Sequence, residues 1–458
     1  MSGATRTADL AKAPRGAGWS LARVRESSLT VDLAIVGAVA LVLGLIRLGT
    51  PSLWVDEAFT ALAVRETLIN PLDQYHWLYY AVLTPWTALV GESEWALRMP
   101  SVFAAMLACG LLVVLGRRLF DRRVGLVAGL LLATSPFLVM WSQQARAYSF
   151  VAAAGILATL LLVVALDRGT RPAWAGYGLA FSLVFALHPV SALVLVPAHA
   201  LLAARRRERL LPHGLLAPCV IVVLGIPWAV ARAKQTPAFD WLERPTVDVA
   251  LSTLLDVSGA AGMGAALAVV GLVVLWRSGR VDPAVWIGAW AFGPFALALV
   301  ASFARPIYLD RYLITAAPAF ALLAAVALLG ASRRLAVVLV ALVVASTSVG
   351  LVDWYRTADR GNWRGEGWRD AVALVEARRA EAGAVVVVPW WANPAATYYG
   401  ARVTSVSTAD TIWVLSWSES GHAIPAAERR SLGFGEHRLV ERVDFGERVT
   451  AQLWRRDG

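Results

Sequence analysis

The chain has 458 residues, of which 58% are hydrophobic and 16% are charged, and its mean hydropathy is +0.61. Soluble domains carry about a quarter charged residues, so this composition excludes a soluble multidomain protein; it also excludes a disordered chain, which requires low hydrophobicity. The formal net charge of +10 is compatible with a nucleic-acid partner, an anionic surface or another origin until the charges are located.

The N-terminal region indicates a retained membrane helix. Residues 1–30 are polar and basic, and the first long apolar run extends from Val31 to Leu48. A secretory signal has a shorter charged region and a small-residue cleavage site after its apolar core, whereas here Pro51-Ser52-Leu53-Trp54 follows. We therefore expect a cytoplasmic tail, residues 1–30, followed by a first spanning helix.

Ten further apolar runs approach the length needed to cross a bilayer, which is about 20 residues with a range of roughly 17 to 25. They are Trp95 to Gly116, Val124 to Met140, Tyr148 to Leu166, Ala173 to Leu187, Val190 to Ala204, His213 to Ala231, Ala260 to Trp276, Pro283 to Phe303, Tyr312 to Gly330 and Leu335 to Val352. The sequence thus predicts an α-helical polytopic membrane domain of about eleven spans over residues 31–352. His188-Pro189 predicts a tight turn between two short spans.

The distribution of arginine and lysine predicts the orientation, because these residues are retained on the cytoplasmic side. One set of helix ends carries nineteen of them and the opposite set carries nine. The N-terminus is therefore expected inside, and an odd number of spans places the C-terminus outside. The positive net charge is then a topology signal, and no nucleic-acid partner is expected.

Two segments on the outer side are expected to carry function. Residues 49–94 form a long first outer loop, with helical character from Glu57 to Glu66 and an aromatic-rich stretch from Tyr75 to Val90 that Pro85 is expected to interrupt. Residues 353–458 lose the long apolar runs. Their pattern predicts a small extracytoplasmic α/β domain, with a helix from Trp368 to Arg379 and strands at Ala384 to Val388, Thr411 to Trp417 and Val449 to Trp454.

The acidic pair Asp56 and Glu57 follows the first span directly. Ionisable residues at membrane depth are costly and tend to be functional. An alternative is that Asp56 caps the short helix that follows, with Glu57 in its first turn, where the helix dipole favours negative charge.

Further polar motifs follow in a characteristic order. They are His76-Trp77-Leu78-Tyr79-Tyr80, Glu94-Trp95-Ala96-Leu97-Arg98, Gln143-Gln144-Ala145-Arg146, Leu187-His188-Pro189 and Arg305-Pro306-Ile307-Tyr308-Leu309-Asp310-Arg311-Tyr312. Their order and topology resemble the integral-membrane GT-C glycosyltransferases, in particular the bacterial relatives of protein O-mannosyltransferases and of the aminoarabinose transferase. The resemblance extends from Val31 to about Val352.

The resemblance implies an inverting hexosyl- or pentosyltransferase of the plasma membrane. It would move a sugar, mannose being one candidate, from a polyprenyl-phosphate carrier to a hydroxyl of a protein, lipid or polysaccharide acceptor on the outer face. In the family the first carboxylate of the acidic pair is the general base and matches Asp56, with Glu57 beside it as the second catalytic candidate. A carboxylate within hydrogen-bond reach can remove the proton of an acceptor hydroxyl as that hydroxyl attacks.

The leaving lipid phosphate requires cations, and arginine binds phosphate in a bidentate manner. The outer-face candidates are Arg146, Arg305 and Arg311, with interfacial snorkelling as the alternative. Tyr308, Tyr312 and His188 are further candidates for the phosphate side, and His76, Tyr79 and Tyr80 for the sugar or acceptor. For the histidines the alternative is a structural hydrogen-bonding role at a helix end. Arg98 is expected to pair with Glu94 or Glu92.

No metal or other cofactor is expected. Family members often carry a second acidic residue after the third span, and Met140 to Arg146 contains none. Asp56 and Glu57 alone are a small ligand set for a divalent metal. The C-terminal domain contains the motif Asn362-Trp363-Arg364-Gly365. The domain could recognise the acceptor or form a packed lid over the site, and it is assigned no catalytic residue.

Two rival classes remain. A transporter or lipid-linked-sugar flippase is one alternative, but such folds are often built from repeated halves with broken helices at the midplane, and the sequence shows no such symmetry. A non-catalytic scaffold for envelope assembly is the other, and it would tolerate Asp56→Asn.

Overall fold

A computed structural model describes residues 26–65, 76–205, 242–404, 409–419 and 424–456, and the helices are numbered within these ranges. The membrane part consists of α1 (Glu26–Leu45), α2 (Val55–Arg65), α3 (Trp77–Val90), α4 (Glu94–Leu119), α5 (Arg122–Ala133), α6 (Pro136–Ser142), α7 (Tyr148–Arg168), α8 (Arg171–Leu187), α9 (Pro189–Arg205), α10 (Val247–Ser258), α11 (Met263–Arg277), α12 (Val281–Ala304), α13 (Ala317–Gly330) and α14 (Arg333–Arg356). A 3₁₀ segment, Asp310–Ala316, leads directly into α13.

Six helical segments in the described ranges are long and apolar enough to cross a bilayer, and two bent pairs, α5 with α6 and α10 with α11, raise the number to eight at most. The polytopic helical membrane fold is therefore confirmed. The count of eleven stays a prediction, because the run from His213 to Ala231 lies outside the described residues and α8 and α9 have only 17 residues each.

The packing separates a central helix from a peripheral one. Of the residues in the apolar window of Asp310–Gly330, 89% are buried, against 17% for Arg333–Arg360. α11 approaches the central helix closely at Gly271, where a Cβ atom would lie 2.2 Å from the Leu323 carbonyl oxygen. The site described below lies where the 3₁₀ segment enters this central helix.

Local chemistry sets several helix ends. Ser93 accepts the Ala96 N–H at the start of α4, as N-cap residues do, at 3.2 Å. α8 ends at Leu187 and α9 begins at Pro189, so the predicted turn is confirmed. The predicted interruption at Pro85 is wrong: α3 continues through it. Membrane helices tolerate the main-chain donor that proline lacks, and in the same turn the Thr84 hydroxyl donates to the Tyr80 carbonyl at 2.9 Å.

The C-terminal region is a small α/β domain with α15 (Trp368–Ala377), α16 (Asn393–Tyr398), α17 (Ala426–Ser431), β1 (Ala384–Val388), β2 (Thr411–Trp417), β3 (His437–Phe445) and β4 (Val449–Arg456). The strand order is β1-β2-β4-β3, with β1 parallel to β2 and the other pairs antiparallel. The predicted helix and three strands are confirmed. The sequence did not predict β3, because this edge strand is rich in charged residues and mostly exposed.

The short helix α2 belongs to both hydrophobic cores. Ala61 and Val64 pack into the core of the membrane part, whereas Val55 and Ala58 pack with Trp368 in the core of the C-terminal domain. The C-terminal domain therefore lies directly against the helix that carries the acidic pair.

Candidate active site

The acidic pair occupies the first turn of α2, where its two carboxylates have opposite environments. The helix begins at Val55, so Asp56 is not the cap that one interpretation assigned to it. Successive helical side chains point about 100° apart. Accordingly, Glu57 is fully buried, whereas the Asp56 side chain is 32% exposed.

Glu57 is held in a buried ion pair with Arg98 of α4. Arg98 Nε donates to Glu57 Oε1 at 2.8 Å and Nη2 donates to Oε2 at 2.6 Å. The Ala145 N–H also donates to Oε1, at 2.7 Å. The expectation that Arg98 pairs with Glu94 or Glu92 is wrong, since those residues pair with Arg369 and Arg65.

Arg146 contacts Asp56 from the loop between α6 and α7. Its Nη1 donates to the Asp56 carbonyl oxygen and to Thr60 Oγ1, both at 3.2 Å. Its Nη2 lies 3.9 Å from Asp56 Oδ2 and 3.2 Å from His76 Nε2. A buried cation is thus fixed beside a partly exposed carboxylate.

His76 and His188, predicted from separate motifs, form a stacked pair with ring centroids 5.7 Å apart. His188 Nδ1 accepts the Ser191 main-chain N–H at 3.1 Å, so a neutral ring carries its proton on Nε2. The Tyr312 ring lies 4.5 Å from His188, and the Tyr80 ring lies 6.5 Å from His76. His76, which lies 3.2 Å from Arg146, therefore connects this aromatic group to Arg146.

Arg311 approaches from the 3₁₀ segment before α13. Its guanidinium carbon lies 5.9 Å from the Trp54 ring centroid and 5.8 Å from that of Tyr312. The residue is 7% exposed and is close enough to Asp56 to interact electrostatically. The indole of Trp54 is itself fixed, because its Nε1–H donates to Gln144 Oε1 at 2.6 Å.

The C-terminal domain adds a cation that the sequence analysis did not assign to the site. The guanidinium carbon of Arg364 lies 5.0 Å from the Trp54 ring and 5.1 Å from that of Trp363. Arg364 interacts electrostatically with Asp56 and with Arg311. The Asn-Trp-Arg-Gly motif was the available signal, but nothing local related it to Trp54, about three hundred residues earlier.

Glu366, two residues after Arg364, anchors this segment. Its side chain accepts hydrogen bonds from the indole N–H groups of Trp368 and Trp417 and from the Val55 N–H, at 3.1, 3.0 and 3.3 Å. Burial raises the pKa of Glu366 above its ordinary value. The first residue of α2 is thereby tied to the C-terminal domain.

Three other predicted residues do not contact Asp56 in the described part of the chain. Arg305 is half-buried where α12 ends. Tyr308 donates its hydroxyl to the Ala250 carbonyl of α10 at 3.2 Å. Tyr79 packs edge-on against Phe150, with ring centroids 5.5 Å apart.

The charges of the site favour an anion. Arg98 balances Glu57. The other charges of the site are the three arginines Arg146, Arg311 and Arg364 and the two carboxyl groups Asp56 and Asp310. A cavity rich in one sign of charge concentrates ligands of the opposite sign. Among the described residues, no three His, Cys, Asp or Glu side chains converge as a metal site would require.

Comparison with known proteins gives a partial match in sequence. The family model described as dolichyl-phosphate-mannose-protein mannosyltransferase matches residues 77–230, a range that contains Arg98, Arg146 and His188 but neither Asp56 nor Arg311. The undecaprenyl phosphate-alpha-4-amino-4-deoxy-L-arabinose arabinosyl transferase of Pseudomonas paraeruginosa is 32% identical over 186 residues, or 39% of this chain. The chain spans about a third, 32%, of the length of that relative.

The match in fold is much more extensive. The crystal structure of ArnT from Cupriavidus metallidurans in the apo state superposes with a TM-score of 0.61 at 17% identity, over 93% of this chain and 98% of that chain. The same protein bound to undecaprenyl phosphate gives a TM-score of 0.59 at 16% identity with the same coverage. The apo oligosaccharyltransferase of Archaeoglobus fulgidus gives 0.54 at 12% identity, over 81% of this chain and 64% of that chain.

The shared fold covers both the membrane helices and the C-terminal domain, and the sequence match falls in the same membrane part. Residues 77–230 are therefore similar in sequence to the dolichyl-phosphate-mannose-protein mannosyltransferases, and nearly the whole chain shares the fold of ArnT.

Proposed function

We propose that the protein transfers a sugar from a polyprenyl-phosphate donor to an acceptor hydroxyl on the outer face of the plasma membrane, with the N-terminus in the cytoplasm. One observation carries the proposal: a partly exposed carboxylate, Asp56, lies among buried arginines. This combination suits a reaction that removes a proton from a neutral nucleophile and releases an anionic leaving group. The sequence relative and the shared fold support the same class of donor.

The proton transfer is assigned to Asp56. As the acceptor oxygen forms a bond to the anomeric carbon, its proton moves to an Asp56 carboxylate oxygen and later to water. The bond between the anomeric carbon and the phosphate oxygen breaks at the same time, so the configuration at that carbon is inverted. Glu57 is the weaker candidate for the base, because both of its oxygens accept hydrogen bonds from Arg98 or Ala145. We assign Glu57 to positioning.

The departing phosphate is assigned to the arginines. Arg146 lies 3.9 Å from the Asp56 carboxylate, and Arg311 interacts with it electrostatically. Arginine side chains keep their charge at all relevant pH values. Charge-assisted hydrogen bonds from guanidinium to phosphate oxygen strengthen as negative charge develops on the leaving group. Tyr312 and His188 pack against each other in the same region. Phosphate binding by Arg305 and Tyr308 stays a prediction, because neither residue contacts Asp56 in the described part of the chain.

Binding of the sugar or the acceptor is assigned to His76 and Tyr80. His76 lies 3.2 Å from Arg146, and the Tyr80 ring packs edge-on against His76, so both could contact a sugar bound beside Asp56. The proposal includes both a hexose and a pentose as the sugar, and a protein, a lipid or a polysaccharide as the acceptor. Mannosyl and aminoarabinosyl donors are the first to test.

The test is sugar transfer by the purified full-length protein in vesicles. Synthetic polyprenyl-phosphate donors carrying labelled mannose or aminoarabinose are offered with extracted envelope acceptors. Arg311→Ala and Arg146→Ala are expected to lower the rate about 10²- to 10³-fold each, the range for the loss of one donor to developing charge. The control is Arg205→Ala, whose exposed partner is Asp282. Movement of the donor across the vesicle without any transfer would replace the proposal with the transporter alternative.

A further inference from the structure

The C-terminal domain places one charged side chain over the site in the membrane part. Arg364 lies in the loop between α14 and α15, and its guanidinium is held between two indole rings, Trp54 at 5.0 Å and Trp363 at 5.1 Å. The two rings are themselves in edge contact, with centroids 5.4 Å apart. Stacked aromatic faces attract a cation and fix the plane of the guanidinium.

No carboxylate neutralises this guanidinium within salt-bridge distance in the described ranges of the chain. Its nearest acidic neighbour in sequence, Glu366, is occupied by two indole N–H groups and by the Val55 N–H. Arg364 also interacts electrostatically with the carboxyl groups of Asp56 and Asp310 and with the positive charge of Arg311. The guanidinium groups of Arg364 and Arg311 thus lie over the same Trp54 ring, with the carboxyl groups of Asp56 and Asp310 in their neighbourhood.

An anion that binds between the two guanidinium groups would stabilise this arrangement. Like charges in a poorly solvated site repel each other, and the repulsion is relieved when a ligand of charge −1 or −2 binds between them. Guanidinium groups approaching from two sides match the several acceptor oxygens of a phosphate. The rigid aromatic support reduces the entropy that Arg364 would lose on binding.

We propose that Arg364 is a third phosphate-binding guanidinium of the site, supplied by the C-terminal domain and directed at the phosphate group of a polyprenyl-linked lipid beside Arg311. The inference rests on the proposed function for the identity of the lipid. It gives the C-terminal domain a direct role in ligand binding, in addition to covering the membrane part.

The test is equilibrium binding of polyprenyl phosphate, without a sugar, to the full-length protein, with inorganic phosphate as the second probe. Arg364→Ala is expected to weaken polyprenyl phosphate binding about tenfold to a hundredfold, the range for one hydrogen bond to a charged group. Arg364→Lys is expected to recover part of the loss, because lysine keeps the charge but lacks the planar fork. The matched control is Arg360→Ala, which removes an arginine of the same loop that pairs with Glu447 at the surface and is expected to leave binding unchanged.

The outcomes separate the possible sources of phosphate. Loss in the polyprenyl phosphate titration alone assigns the lipid headgroup, and equal loss with inorganic phosphate assigns a free phosphate. Unchanged binding of both probes by Arg364→Ala overturns the proposal. Arg364→Gln keeps the length of the side chain and serves if the alanine variant fails to fold.

The two proposals fail in different ways. If the wild type binds polyprenyl phosphate through Arg364 but transfers no sugar, the proposed function is wrong and this inference stands. If sugar transfer is normal and Arg364 variants bind both probes like the wild type, only this inference is wrong.

Discussion

At the scale of single residues, Asp56 and Glu57 differ because the helix turns between them. The Asp56 carboxylate is partly exposed, and the Glu57 carboxylate is buried against Arg98 and the Ala145 N–H. Breaking a buried ion pair by removing one partner leaves the other charge uncompensated. Glu57 is therefore expected to matter first for stability, and for activity through the position of its neighbour.

Glu57→Gln should lower the free energy of unfolding by about 3–5 kcal/mol, as expected for a buried pair that loses one partner. Thermal unfolding of the full-length protein in detergent measures this as a reduced Tm. The matched control is Glu92→Gln, which breaks the exposed pair with Arg65 and should cost at most about 1 kcal/mol. Equal shifts in Tm for the two variants would contradict the assignment of Glu57.

Glu366 predicts a pH dependence of stability. Burial raises its pKa in the folded protein, so the fold favours the protonated form relative to the unfolded chain. The contribution of Glu366 to stability is complete when the pH is below its pKa in the unfolded chain, about 4.3. It is lost as the pH rises through the higher pKa of the folded protein. Glu366→Gln removes this titration. From pH 4 upward (roughly the unfolded pKa), the Tm of the wild type should fall relative to that of the variant, and a constant difference would show that burial does not shift this group.

At the scale of elements, α2 is the structural link between the two parts of the protein. Its apolar residues are divided between two cores, and its first N–H donates to Glu366. A displacement of the C-terminal domain would therefore move Asp56 as well. Close packing of the spanning helices provides the rigid frame against which α2 is held.

A substitution at Gly271 tests how closely the spanning helices pack. A Cβ atom there would lie 2.2 Å from the Leu323 carbonyl oxygen of α13, so Gly271→Ala should push α11 away from the central helix and cost about 1–3 kcal/mol, as overpacking does. Gly176→Ala in α8 is the control, because the nearest side-chain atom to its Cβ position is a Leu161 carbon at 4.0 Å; it should be neutral or slightly stabilising. Comparable yield and Tm for the two variants would contradict the packing described here.

The elements show what the sequence can predict. Within the described ranges the apolar runs predicted helices correctly, because hydropathy is a local property. The turn at His188-Pro189 follows from local proline chemistry. β3 was missed because its charged residues lie on an exposed edge. The Arg98–Glu57 pair was missed because it joins residues 41 positions apart, while Glu94 offered a nearer partner in the sequence.

At the scale of the whole molecule, the candidate active site is assembled from distant segments. Asp56, Arg146 and Arg311 come from a short helix, a loop between helices and a 3₁₀ segment, and Arg364 comes from the C-terminal domain. Family resemblance identified the first three as candidates. It did not identify Arg364, because that contact depends on how the domain lies on the membrane part.

The small ligand set around Asp56 predicts transfer without a divalent metal. Hard divalent cations take six or more oxygen ligands, and the protein normally provides several of them. Sugar transfer by the purified protein should therefore be complete in excess EDTA. Loss of activity in EDTA that Mn²⁺ or Mg²⁺ alone restores would contradict this prediction.

The most direct test of the central claim compares wild type with Asp56→Asn for two properties of the same preparation: binding of polyprenyl phosphate and transfer of labelled sugar from the polyprenyl-phosphate donor. The substitution keeps the shape of the side chain but removes the base. We predict that binding is retained and that the transfer rate falls about 10²- to 10⁴-fold, the usual contribution of a general base. Equal transfer rates in the two proteins would contradict the assignment of Asp56 and the account built on it.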